Sequence, residues 1–403
     1  MGENSVAITG IGVMSPFGPG FTSLSSGLLE CRSCLRPLTI FDSGLEVSPT
    51  VAEIRDLPAL EEKPGFRLSR TDRLAVLAAL DAAKSADASA DFHESGALIA
   101  TTVAGLTGIN PAIVANPAHF YHEGGFAQVT AYPAYHPADA VGAWLELNGP
   151  CWGVSVACAS GAISIALAAS MVLSGEVPMM LAGGSDALAA YTVSGFNSLQ
   201  ALDPEPCRPF DKNRKGLNMG EGAAVLVLET IEHAKARNVP ILALLRGWAM
   251  TNDAFHPTAP DEQGRGLAQC ITSAMAMARV SSDDVGYVNS HGTGTPLNDV
   301  AEVKAYEAAF RGRRRPIPVS STKSYFGHTL GAAGSLEAAV TIAGMRASTL
   351  FPTLRLTDPI ESASVDWLTG TPRQQPLPLA MSVSAGFGGS NAALIFELPD
   401  GVL

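Results

Sequence analysis

Charge is scarce in this chain. Of 403 residues only 16% are Asp, Glu, Lys or Arg, and aromatic residues make up 6%. With hydrophobic residues at 47%, so little charge excludes a disordered chain and predicts a large buried core. What charge there is leans one way: 26 Lys and Arg against 38 Asp and Glu give a formal net charge of -12. That balance disfavours nonspecific binding to nucleic acid. Cysteine is sparse too. The six, Cys31, Cys34, Cys151, Cys158, Cys207 and Cys270, read as reduced thiols of a cytoplasmic protein rather than a disulfide framework. Cys31 and Cys34 form a lone C-x-x-C, with no second pair or nearby histidine to complete a zinc site. No uninterrupted apolar run reaches about 18 residues, so no membrane span is expected. The opening "MGENSVAITGIGVMSP" lacks the basic region of a secretory signal and reads as a first strand.

Apolar, β-branched runs alternate with alanine-rich stretches, the pattern of an α/β protein with buried strands. Strands are predicted at residues 6–13, 97–103, 153–157, 179–183, 223–228, 241–248, 286–289, 317–320, 381–384 and 392–397. Helices are predicted at 71–86, 158–173, 264–278, 299–310 and 334–345. No long linker or low-complexity tract appears. A soft boundary at "EHAKARNVP" divides the chain into halves, 1–232 and 233–403, of similar strand–helix alternation but no evident sequence repeat.

Four stretches could carry chemistry. "VSVACASGAISIALA" puts Cys158 where a strand gives way to an apolar helix, among small residues that leave the thiol clear. A buried structural cysteine is the plain reading; a nucleophile whose pKa is lowered by the helix N-terminus is the sharper one. "NSHGTGTPLND" sets His291 after a short strand, in a loop whose glycines allow close approach to a ligand. "SSTKSYFGHTLGAAGSLEA" supplies Lys323 and His328, and a lysine beside a histidine disfavours the imidazolium. Glu302 and Glu337 are partners for that lysine or for a bound cation, unless they merely face solvent. "SAGFGGSNAALIFE" is a glycine-rich turn carrying Phe387, able to offer a backbone N–H to an oxyanion. By contrast, "ITGIGVMSPFG" fails as a dinucleotide fingerprint, because Ser15 stands where the third glycine belongs. Two arginine clusters, Arg67, Arg70, Arg73 and Arg311, Arg313, Arg314, Arg315, read first as solvated faces. One cysteine, two histidines and a lysine among glycine-rich loops point to thiol-based acyl transfer.

In family order, "VACASG", "HGTGTPLND", "STKSYFGHTLGAAGSLE" and "GFGGSN" make the chain resemble a β-ketoacyl-acyl carrier protein synthase of the synthase II type, over nearly its whole length. The resemblance implies a duplicated thiolase-like five-layer αβαβα fold, usually dimeric, and a decarboxylative Claisen condensation of an acyl thioester with a malonyl-carrier. It implies that Cys158 holds the acyl chain and that the N–H groups of Cys158 and Phe387 form the oxyanion hole. His291 and His328 then assist decarboxylation, and Lys323 orients the site through an acidic partner, with Glu302 ahead of Glu337. Thr293 and Thr295 match positions that bind the phosphopantetheine arm, Phe387 a mobile gate, and Val103 and Phe196 the acyl pocket. Asn289, Glu337 and Ser384 fall where some members hold a monovalent cation; no other cofactor is implied, since the substrate rides on the carrier's phosphopantetheine. The implied partners are acyl carrier protein and a second chain, identical or a ketosynthase-like subunit.

The nucleophile separates this chain from the inactive chain-length-factor relatives, although a weakly catalytic, chain-length-determining role remains the alternative. An acyltransferase that moves chains without condensing would use the same cysteine. Thiolases need a second cysteine near the C-terminus, and Cys270 is the last one here. Ala385, Ala157 and Gln200 depart from common synthase II residues. These departures fit a dedicated enzyme of a polyene or aromatic polyketide pathway as well as one of fatty-acid synthesis, with Arg67, Arg70 and Arg73 carrying more of the carrier contact.

Overall fold

The structure is a computed structural model that describes residues 5–64, 66–87, 92–108 and 133–399. Its first half contributes β1 (Val6–Ser15), β2 (Gly96–Ala100), β3 (Cys151–Val154), β4 (Met179–Asp186) and β5 (Gly222–Thr230). They lie in the order β3-β2-β4-β5-β1. The second half contributes β6 (Ala243–Asn252), β7 (Val288–Asn289), β8 (Ile317–Ser320), β9 (Val365–Trp367), β10 (Leu379–Gly386) and β11 (Ser390–Glu397). Their order is β8-β7-β10-β11-β6, with β9 added outside β8.

The two orders are the same order. In each half the first strand pairs antiparallel with the last, the last pairs antiparallel with the one before it, and the remaining pairs are parallel. The sheets meet through a short antiparallel contact of β1 with β6, from Val6 opposite Leu245 to Ile8 opposite Ala243. Duplication invisible in the residues is thus plain in the topology. Even a defect is shared: the register slips between Ile8 and Gly10 in β1 and between Leu245 and Gly247 in β6.

Five main helices complete the layers: α1 (Arg70–Ser85), α2 (Ser160–Ser174), α3 (Arg265–Ala278), α4 (Pro296–Ala309) and α5 (Ala333–Arg346). Apolar residues of α1 pack with those of β4 and β5 on one outer face. Residues of α3 and α4 pack on the outer face of the second sheet. Between the sheets lie α2 and α5, whose side chains join both in the largest core cluster. The result is the five-layer α/β arrangement. Gly10 belongs to its packing: a Cβ there would stand 2.3 Å from the Ala82 carbonyl oxygen of α1. The opening glycine motif therefore serves close approach of helix to strand.

A helix inside a two-sheet sandwich must be apolar all round. The segment Ala157–Ser174 accordingly has a mean hydropathy of 1.8, enough by length and composition to cross a membrane, yet 72% of it is buried inside the fold. It is a core helix. Burying a side chain such as Ile165 or Leu336 contributes about 1.5–3 kcal/mol. The two central helices touch near their N-termini, where a Cβ on Gly334 would lie 2.6 Å from the Ala162 nitrogen. That crossing brings together whatever precedes each helix.

Candidate active site

Cys158 precedes α2. The strand before it ends at Val154, and the chain then turns through Ala157 at φ 48°, a left-handed conformation unusual for alanine. Ser160 closes the elbow: its Oγ accepts from the Val156 N–H at 2.7 Å and donates to the Ala157 carbonyl at 2.5 Å. Helix therefore starts at Ser160, two residues later than the spacing predicts, and the strand stops short of residue 157. The buried thiol stands free just ahead of the helix.

Two histidines converge on it. His291 follows β7, and His328 follows the single turn Lys323–Phe326 and Gly327 at φ 69°. The Cys158 sulfur and a ring nitrogen of each histidine all lie within 4.8 Å of one another. The rings meet edge to face, with centroids 5.2 Å apart. Lys323 is buried behind them, donating to the His291 carbonyl at 2.6 Å, standing 3.3 Å from His291 Nδ1, and paired with Glu337. An ammonium group can only donate, so Nδ1 is the unprotonated nitrogen and Nε2 carries the hydrogen. Burial, reinforced by the Lys323 charge, holds both imidazoles well below their ordinary pKa, so both are neutral. Among the described residues neither ring nitrogen of His328 has a hydrogen-bond partner, although the residue is buried.

The acidic partners need a correction. Glu302, expected ahead of Glu337 to pair with Lys323, instead supports the His291 loop. Its Oε1 accepts from His291 N at 2.9 Å and Tyr306 Oη at 2.7 Å; its Oε2 accepts from Gly292 N at 2.6 Å and Asn298 Nδ2 at 2.8 Å. Burial, and then the nearby Asp299, pushes its carboxyl up to about 7. Glu337 is pushed by burial to about 7 against the pull of Lys323.

The thiol also departs from expectation. Burial pushes Cys158 up to about 11, outweighing Lys323 and a hydrogen bond from the Phe387 backbone N–H. At rest it is a thiol, not a thiolate. Read as a metal site, the cysteine and two histidines would have to give up the thiol proton on binding. The Lys323 charge beside them disfavours a divalent cation further.

A cavity of about 340 Å³ opens onto these groups, lined among others by Cys158, His291, His328, Thr293, Thr295 and Phe387. The hydroxyls of Thr293 and Thr295 are 2.8 Å apart. Phe387 is partly exposed and stacks on Phe196, with centroids 5.8 Å apart. The preceding Gly386 lies so close to the cysteine that a Cβ there would meet Cys158 N at 3.1 Å. Phe196 and Gln200 line the cavity, whereas Val103 does not. Val103 is buried in an adjoining apolar cluster with Leu188, Leu217 and Phe196 at its edge.

Near Lys323, Asn289 Oδ1, Glu337 Oε2 and Ser384 Oγ are buried and, among the described residues, lack hydrogen-bond partners. An all-oxygen set of this kind fits a hard cation. Arg70 is withdrawn from any carrier contact, since it forks onto Glu221 with bonds of 2.8 and 2.6 Å.

Sequence reasoning missed three supports. Ser160 closes the elbow, and Asn298 holds Glu302. Asp186, at the end of β4, accepts from Thr102 N, Val103 N and Gly331 N at 3.0, 2.9 and 2.6 Å, tying the loop after β2 to the start of α5. The strand predicted to reach residue 103 ends at Ala100 for that reason. Of the three, only Ser160 left a signal, a serine at a strand-to-helix junction.

Known proteins carry the same design. Residues 3–234 match the β-ketoacyl synthase N-terminal domain and residues 242–357 the β-ketoacyl synthase C-terminal domain. The chain is 32% identical to 3-oxoacyl-[acyl-carrier-protein] synthase 2 of Coxiella burnetii, covering 98% of this chain and 99% of that one. It is 35% identical to nodulation protein E of Rhizobium meliloti, over 98% and 99% of the two chains. Among solved structures, the ishigamide ketosynthase/chain length factor superposes with a TM-score of 0.88 at 28% identity, covering 98% of this chain and 99% of that one. With matches this extensive, the chain belongs to the β-ketoacyl synthase family.

Proposed function

We propose that the protein is a 3-oxoacyl-carrier synthase, a condensing enzyme that joins an acyl thioester to a malonyl-carrier with loss of carbon dioxide. In the first step the Cys158 sulfur attacks the acyl carbonyl while a neutral imidazole takes its proton. The carrier thiol leaves with that proton, and the acyl chain remains on Cys158. In the second, the malonyl carbon–carbon bond breaks and carbon dioxide departs. The N–H groups of His291 Nε2 and His328 hold the charge that grows on the thioester oxygen. The resulting carbanion attacks the acyl-Cys158 carbonyl, whose oxyanion faces the N–H groups of Cys158 and Phe387. The carbon–sulfur bond then breaks, and the released Cys158 thiolate takes up one proton from solvent, the first having left with the carrier thiol.

One observation carries this reading: a buried, neutral imidazole, His328, with both nitrogens unpartnered, beside a buried thiol. Leaving such groups unsatisfied costs about 1–3 kcal/mol each, a cost that makes sense where a substrate oxygen supplies the missing partner. Incubating the protein with an acyl-carrier and labelled malonyl-carrier should give an adduct of acyl mass on Cys158, followed by release of carbon dioxide. Cys158→Ala should do neither. Condensation by that variant at the parent's rate would sink the proposal. An adduct without carbon dioxide release would favour plain acyl transfer, and no adduct a chain-length-determining subunit.

The rest of the reading follows the site. Thr293 and Thr295 bind the phosphopantetheine arm, Phe387 gates the cavity from its stack on Phe196, and the Lys323 charge, held in place by Glu337, adds to burial in keeping the imidazoles neutral. Asn289, Glu337 and Ser384 would hold a monovalent cation. No other cofactor is needed, because the carrier's arm brings the reactive thioester. The carrier and a second ketosynthase-like chain, identical or not, are its partners. Six free cysteines support a reducing, cytoplasmic setting.

A further inference from the structure

We propose that the side-chain carbonyl of Asn298 is a recognition point for the substrate's arm, accepting a hydrogen bond from one of its amide N–H groups; this rests on the condensing-enzyme reading. Asn298 stands in the first turn of α4 and lines the cavity. Its amide has two N–H bonds and one oxygen. Nδ2 donates to Asp299 Oδ1 at 3.2 Å and to Glu302 Oε2 at 2.8 Å, so both N–H bonds are spent on carboxylates. Those acceptors also settle which way round the amide lies, because reversing it would set its oxygen against two carboxylate oxygens.

With Nδ2 so spent and no donor to Oδ1 among the described residues, Oδ1 is the polar atom that Asn298 has left for the cavity. It can only accept. Thr295 precedes Asn298 by three residues at the start of the same helix, so both belong to one face. Thr293 Oγ1 accepts from Thr295 N at 3.2 Å, and its hydroxyl pairs with that of Thr295. The wall thus combines hydroxyls of either role with one obligate acceptor. A ligand that satisfies it must carry an N–H or O–H donor beside groups that can accept. A flexible arm of secondary amides has that chemistry; an all-ester or hydrocarbon arm does not.

The test uses the intact protein and three acyl-pantetheine thioesters: the natural diamide and two analogues, each with one amide N–H replaced by an ester oxygen. Acylation of Cys158 is followed by intact mass. For the parent, one analogue should lower kcat/KM about three- to tenfold, through KM, as loss of one hydrogen bond requires. Asn298→Ala should lose the same factor on the diamide and nothing further on that analogue. Alkylation of its Cys158 at the parent's rate confirms that the site has kept its shape. An equal loss on all three substrates, or no loss at all, overturns the proposal. A parent that takes an acyl group from none of the three overturns the condensing-enzyme reading instead.

Discussion

Cys158 shows how neighbouring groups decide the state of a single atom. A thiol ahead of a helix and near a lysine is pulled toward the thiolate, but burial pulls harder the other way and sets it at about 11. At pH 7 the thiolate is then about one molecule in ten thousand, so acylation needs a base. The neutral imidazole of His328, within 4.8 Å and with its nitrogens unpartnered, would provide one. A raised pKa means that the proton stays on through the range where ordinary cysteines lose it. Iodoacetamide should therefore modify Cys158 ever faster from pH 7 to pH 10, about tenfold per unit, with no plateau near pH 8.5. Mapping the alkylated peptide at each pH checks this, and a plateau at or below 9 would show that the pull of Lys323 and the helix prevails. That Cys158, His291 and His328 belong together was legible in the sequence, because each sits in a short motif with its own local geometry. Their partners were not. Whether Lys323 meets Glu302 or Glu337 depends on where two helices start in space, and α5 carries Glu337 to it while α4 turns Glu302 to the His291 loop.

Elements explain why the reacting groups arrive together. The strand-to-helix elbow before α2 holds alanine in a left-handed conformation, a strain of about 1–2 kcal/mol that the Ser160 hydroxyl helps to offset. Ser160→Ala would leave the Val156 N–H without its acceptor and let the elbow relax. The variant should lose about 1–3 kcal/mol of stability in urea unfolding and acylate more slowly at saturating substrate, with KM little changed. Unchanged stability together with an unchanged acylation rate would deny the elbow that role. Element type followed periodicity closely, as in α3, predicted at 264–278 and found at Arg265–Ala278. Failures came where composition is unhelpful. The helix Ala190–Ser198, AYTVSGFNS, holds β-branched, aromatic and glycine residues that favour other states. Packing of Val193 into the apolar cluster beside the cavity overrides that preference.

The whole molecule is a doubled sheet, and its two edges are finished differently. At one end β9 is guarded by the Asp366–Arg373 ion pair and by Trp367, whose indole donates to the Ile360 carbonyl at 2.9 Å. At the other end β3 pairs only with β2, and among the described residues no strand occupies its outer side. Trp152 of that edge is 53% exposed, and Leu167 and Leu173 of the neighbouring α2 are each 36% exposed. A cleft runs between strand and helix, with Trp152, Leu167 and Met171 on its walls. An open edge flanked by exposed apolar side chains invites another chain, and the charge that blunts β9 has no counterpart on β3. A second copy of this chain, meeting it across a twofold axis, would continue the sheet and cover Trp152 on both sides. Light scattering should then report a dimer for the parent at micromolar concentration, and Trp152→Glu should shift it to monomer with its circular dichroism intact. A monomeric parent would mean that this edge awaits a different ketosynthase-like chain, and a variant that stays dimeric would place the contact elsewhere. The site lies at the far end of α2 from Leu173, so a monomeric Trp152→Glu that still acylates Cys158 would show that each half-pair carries its own complete chemistry.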